Sequence, residues 1–155
     1  MKIILTIIFI LILLFLQIGV FPHLSIAGSF PNLILLAILG LSVLQGWKKN
    51  LVWIIIGGLF LDFYSLHSVL GISIVGLLLA GYLAYFLSQN IFKGVSFWSL
   101  ILVFLISIFV YNLSLIILFG VFGISFDLGF LSFIVGLVYN LIFALPVFYL
   151  LKRTA

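Results

Sequence analysis

Residues 31–65 read PNLILLAILGLSVLQGWKKNLVWIIIGGLFLDFYS. Two apolar runs, 31–46 and 51–65, flank a short polar break that holds Lys48 and Lys49. Neither run alternates polar with apolar residues, as a lipid-facing barrel strand would. The reading is a pair of helices joined by a basic turn. Pro31 suits a first helical position, where its missing N–H costs nothing. The runs are only about 15–16 residues, below the roughly 20 that a hydrocarbon core of about 30 Å asks of a straight helix. Tilt, or packing against neighbours, has to close that gap.

The same texture continues outward in both directions. Apolar runs cover 3–20, 70–89, 97–120 and 129–151, so the chain reads as six helices. Composition makes lipid their solvent. Of 155 residues, 68% are hydrophobic and 5% charged, where a soluble domain is about 45–50% apolar and 25% charged. Mean hydropathy is +1.65. At roughly 26 residues per span and loop the length is used up by six spans, which leaves a single integral membrane domain over 1–155. A nucleotide-binding fold, a nucleic-acid reader and a large receptor domain are all excluded. The basic isoelectric point rests on six Lys and Arg and carries topological information. Lys2, Lys48, Lys49, Lys93, Lys152 and Arg153 all fall on one side of a six-span chain, which predicts both termini in the cytoplasm.

Chemistry-bearing residues are scarce. There is no Cys, so there is neither thiolate chemistry nor a disulfide. There is no Glu, and the acids and histidines are Asp62, Asp127, His23 and His67. None of these has ligand-type spacing, so no metal site, no cofactor site and no catalytic residue is predicted. Ser25-Ile26-Ala27 has the small-x-small form of a signal-peptidase site, but the preceding apolar run is longer than the usual 7–15 residues and Pro22 intervenes; the run reads as a retained helix.

The structurally informative residues are small or polar. Gly76, Ala80 and Ala84 recur every fourth position in the fourth run, a stripe over which a neighbouring backbone can come close. Val110-Tyr111-Asn112-Leu113 is echoed by Val138-Tyr139-Asn140-Leu141. Each Asn lies well inside its run and should face protein or a wet cavity, with mutual contact one possibility. Asp62 stands near the end of the third run, with Gly58 one turn below on the same face. It reads either as a cap for loop N–H groups at the start of the next helix or as a buried anchor for a partner.

Gly58-Leu59-Phe60-Leu61-Asp62-Phe63-Tyr64-Ser65, followed by Leu70-Gly71 and Gly81-Tyr82-Leu83, resembles the central signature of the rod shape-determining protein MreD family. Pro31-Asn32-Leu33 leading to Gly46 and basic residues is similar to its second-helix region, with Asn32 where the family more often has Asp. Tyr139-Asn140, Pro146 and the basic end are similar to its last helix. The resemblance implies a multi-pass inner-membrane subunit of the bacterial elongation machinery, which builds peptidoglycan during rod growth. Its role would be structural or regulatory, not enzymatic. It would act with the membrane protein MreC and, through it, with MreB, RodA and the transpeptidase. It also implies an all-α polytopic fold like the six-helix substrate-binding subunits of energy-coupling-factor transporters. A vitamin- or small-molecule-binding subunit of such a transporter is therefore the alternative function, although the first run lacks the Ala-x-x-x-Ala docking motif of that class. Candidate structural or partner-contact residues are Gly58, Asp62, Gly71, Gly76, Ala80, Ala84, Asn112 and Asn140.

Overall fold

The structure, a computed structural model, describes residues 2–65, 69–92, 96–124 and 129–154. Among these it is all-helical. The helices are α1 (Lys2–Gly19), α2 (Leu33–Gln45), α3 (Trp47–Tyr64), α4 (Ile72–Phe86), α5 (Phe97–Val121) and α6 (Phe130–Thr154). A 3-10 turn, Phe21–Leu24, follows α1, and a π-helical turn, Leu87–Ile91, prolongs α4. Three segments, Ile72–Ile91, Phe97–Val121 and Phe130–Thr154, are long and apolar enough to cross a membrane; Ile4–Gly19 and Leu33–Gln45 are shorter apolar helices.

Several helix boundaries differ from the sequence expectation. Pro31 is outside α2, whose cap is Asn32: the Asn32 side chain accepts a hydrogen bond from the Leu35 N–H at 3.0 Å. A short acceptor that satisfies an otherwise orphaned N–H starts a helix more strongly than proline's tolerance of that position does. Helix α3 begins at Trp47 rather than at residue 51. Lys48 and Lys49 thus stand, exposed, in its first turn, while Asn50 is buried. The basic break between α2 and α3 is therefore reduced to Gly46, whose φ of 84° reverses the chain. The fourth helix starts two residues late, after Gly71, and the sixth runs on to Thr154. Lys93, His67 and Asp127 lie outside the described residues.

Helix α2 is the hub. It packs against α1, α3, α4 and α6, and every residue from Leu33 to Val43 is buried. Small residues let the neighbours approach: a Cβ on Gly57 of α3 would fall 2.7 Å from Ile38, and one on Gly81 of α4 would fall 3.0 Å from the Ser42 hydroxyl. Ala80 and Ala84 have no exposed surface. Helix α1 is as apolar as α2 but peripheral, with Ile4, Leu11 and Phe15 exposed and Leu13 and Gln17 turned inward. In lipid, apolar side chains gain little by choosing protein over acyl chains, so small and polar residues decide which face is buried.

Candidate functional site

One group of polar side chains gathers where α1, α3 and α5 end and α2, α4 and α6 begin. The first node is Asp62, 1% exposed in the last turns of α3. Its Oδ2 accepts the Gly71 N–H at 2.6 Å and its Oδ1 the Ser73 N–H at 2.9 Å. The first N–H groups of any helix have no partner within it, and they also form its positive end. Asp62 supplies two acceptors and a negative charge to that end of α4 from a different helix. Among the described residues no Lys or Arg pairs with it. Of the two sequence readings of Asp62, the geometry is that of a cap for N–H groups at the start of α4.

Two glycines make the arrangement sterically possible. A Cβ on Gly58 would lie 2.6 Å from Cγ1, 2.7 Å from Cα and 2.9 Å from N of Ile74. Since two of those atoms are backbone, α3 and α4 can touch here only through glycine. Gly71 caps α4 with φ +101°, a conformation that L side chains rarely adopt. It turns the chain so that its own N–H and that of Ser73 point at the carboxylate.

The second node joins α1, α2 and α6. Gln17, buried in the last turn of α1, accepts the Ile34 N–H through Oε1 at 3.0 Å and donates from Nε2 to Asn32 Oδ1 at 3.5 Å. Asn140 of α6 accepts the Asn32 N–H through Oδ1 at 2.8 Å and donates from Nδ2 to the Gly136 carbonyl at 2.8 Å. The start of α2 is thus held by its own Asn32, by Gln17 and by Asn140. Asn32 acts here as a hydrogen-bonding cap, a role that Asn and Asp fill about equally. Ser29, placed by the tight turn in which Ile26 and Ser29 exchange backbone hydrogen bonds, ties the α1–α2 connection to Ser132 of α6 at 2.7 Å.

The two nodes flank a cavity of about 340 Å³. Its wall includes Gln17, Asn32, Ser73, Tyr111, Asn112 and Asn140. Asn112 and Asn140 therefore share a cavity, and of the possibilities open to Asn140 the structure shows hydrogen bonds to Asn32 and Gly136. Gly76 meets α5 at the same level, with its Cβ position 3.0 Å from Ser114 Oγ and 3.1 Å from the Tyr111 ring. Ala80 and Ala84 continue that buried stripe down α4.

Gln17 and Asn50 are buried amides that sequence reasoning passed over. Asn50 donates from Nδ2 to the Ile38 carbonyl at 2.7 Å and to Ser42 Oγ at 2.6 Å. The available signal was an uncharged amide at the edge of each apolar run, where it looks interfacial. His23 is exposed and belongs to neither node.

A family model described as rod shape-determining protein MreD matches residues 1–154. No curated protein and no solved structure matches the chain.

Proposed function

The chain belongs to the MreD family and is a rod shape-determining membrane protein; on that premise we propose that it is a structural subunit, rather than a catalyst, of the bacterial cell-elongation complex. Family membership over nearly the whole chain is the observation that carries this reading. In it, the chain is one integral unit of the inner membrane. Its six helices cross the bilayer, with both termini and the six basic residues in the cytoplasm and the Asp62 end outside. Its direct partner is an MreC-like membrane protein, through which it acts on MreB, RodA and the transpeptidase. The candidate contact residues serve indirectly. Gly58, Asp62 and Gly71 hold the start of α4 against α3, Gly76, Ala80 and Ala84 set the α4–α5 spacing, and Asn112 and Asn140 shape the cavity wall. The likeness to energy-coupling-factor subunits remains an expectation about helix arrangement, and fold alone would not transfer a function.

The test is depletion of the protein in a rod-shaped host together with affinity purification of the full chain from membranes. Rounding of depleted cells and co-purification of an MreC-like protein are expected. Normal rods on full depletion would refute the reading. Orientation is checked separately with single cysteines at Ser25, Lys49, Gly123 and Thr154, since the chain has none of its own. An impermeant thiol reagent should label Ser25→Cys and Gly123→Cys in intact cells and spare the other two.

A further inference from the structure

The polar cavity and the outer surface of the bundle share a wall. Phe133 of α6 lines the cavity of about 340 Å³ and also lines a second hollow of about 310 Å³, whose other residues are Phe109, Leu113, Ile116 and Phe130. The Phe133 and Phe109 rings meet edge to face at 6.1 Å. On one side of Phe133 lie the amides of Gln17, Asn112 and Asn140 with the hydroxyls of Ser73 and Tyr111. On the other lie exposed hydrocarbon side chains between α5 and α6, on a face that in a membrane protein meets acyl chains. We propose that the pair of hollows binds one membrane lipid with an uncharged, hydrogen-bonding headgroup, its head in the cavity and one acyl chain against Phe109, Leu113 and Ile116.

The charge inventory selects the headgroup. No described residue lining either hollow is charged, and the sequence segments that join these helices, 20–32, 65–71 and 122–129, contain no Lys or Arg. A phosphate taken into the cavity would lack the charge-assisted donors that such groups require, and an unpaired buried anion is strongly disfavoured. Amides and hydroxyls instead offer donors and acceptors together, which suits alcohols, glycosyl groups and amides. Water alone would satisfy the cavity, each molecule taking about 30 Å³ of liquid volume. It would not fill the neighbouring apolar hollow. A polar lining and an apolar lining that share Phe133 fit an amphiphile, and the half-buried Asn112 carboxamide lines the polar hollow without serving as a helix cap.

The experiment uses the full chain in phosphatidylcholine nanodiscs and a diacylglycerol carrying a diazirine midway along one acyl chain. Photolysis and peptide mass spectrometry should place cross-links at 109–116 and 130–133. Unlabelled diacylglycerol should compete, and phosphatidylglycerol should not. Asn112→Leu should weaken labelling about fivefold, the weight of one neutral hydrogen bond. Ile116→Trp, on the exposed face and safe for folding, should block it by filling the hollow. Equal competition by phosphatidylglycerol, cross-links spread over all lipid-facing helices, or full labelling of Ile116→Trp would each overturn the proposal. Unchanged labelling of a folded Asn112→Leu protein would overturn the placement of the head.

Discussion

Helix α3 carries one fully buried polar side chain near each end, and the two do different work. Asp62 is 1% exposed and Asn50 is 0% exposed, and each makes two hydrogen bonds to a neighbouring helix. Asp62 accepts from N–H groups at the start of α4, which have no partner inside their own helix. Asn50 donates to the Ile38 carbonyl, which sits inside α2 where the helix's own ladder engages it, and to Ser42, whose hydroxyl can bond back within α2. Among the described residues, Asn50 Oδ1 is buried with no hydrogen-bond partner. Equal burial therefore conceals unequal dependence. Loss of Asp62 leaves two donors orphaned, while loss of Asn50 removes an orphan along with its bonds.

Substitutions should separate the two ends in a definite order, read by thermal unfolding of the purified protein in one detergent. Asp62→Leu comes first: the buried Ser73 N–H loses its acceptor at about 1–3 kcal/mol, and the part-buried Gly71 N–H adds a smaller cost. Gly58→Ala follows, at about 1–3 kcal/mol, because the new methyl meets Ile74 backbone and α3 and α4 must part. Gly76→Leu and Ala80→Leu should cost a comparable amount by overpacking the α4 stripe, and more than Leu78→Ala, whose side chain is only half-buried. Asn50→Leu comes last, below about 1 kcal/mol, since a similar volume replaces the amide and no helix N–H or carbonyl is stranded. If Asn50→Leu proved as damaging as Asp62→Leu, the contrast between donor and acceptor ends would fail.

Much of this was legible beforehand, for identifiable reasons. Apolar runs with no alternation gave six helices, and Gly58 one turn below Asp62 marked a place where another helix could come close. The Gly76–Ala80–Ala84 stripe was readable because small residues are what permit close packing in lipid. The caps were not readable. Pro31 looked like a helix start, yet the start is fixed by Asn32 together with Gln17 and Asn140, the last of them more than a hundred residues away. Nor did apolarity distinguish the buried α2 from the largely exposed α1, because lipid and protein interior make nearly the same demand on a leucine. The cavity, too, is built from polar residues of different helices, each unremarkable in its own run.

In the proposed function, the Asp62 carboxylate fixes the α3–α4 junction by accepting hydrogen bonds, and through it the surface offered to the MreC-like partner. The direct measurement is co-purification of that partner with the wild type, Asp62→Asn and Asp62→Leu, at matched amounts of folded protein, alongside cell shape in a strain where each is the only copy. Asn keeps one of the two acceptors, so partial co-purification and near-normal rods are expected. Leu keeps neither, and should give little partner and rounded cells. Wild-type partner recovery and rod shape with Asp62→Leu would contradict it, as would an Asp62→Asn protein that fails as completely as Asp62→Leu, since that result would require a cation paired with the carboxylate.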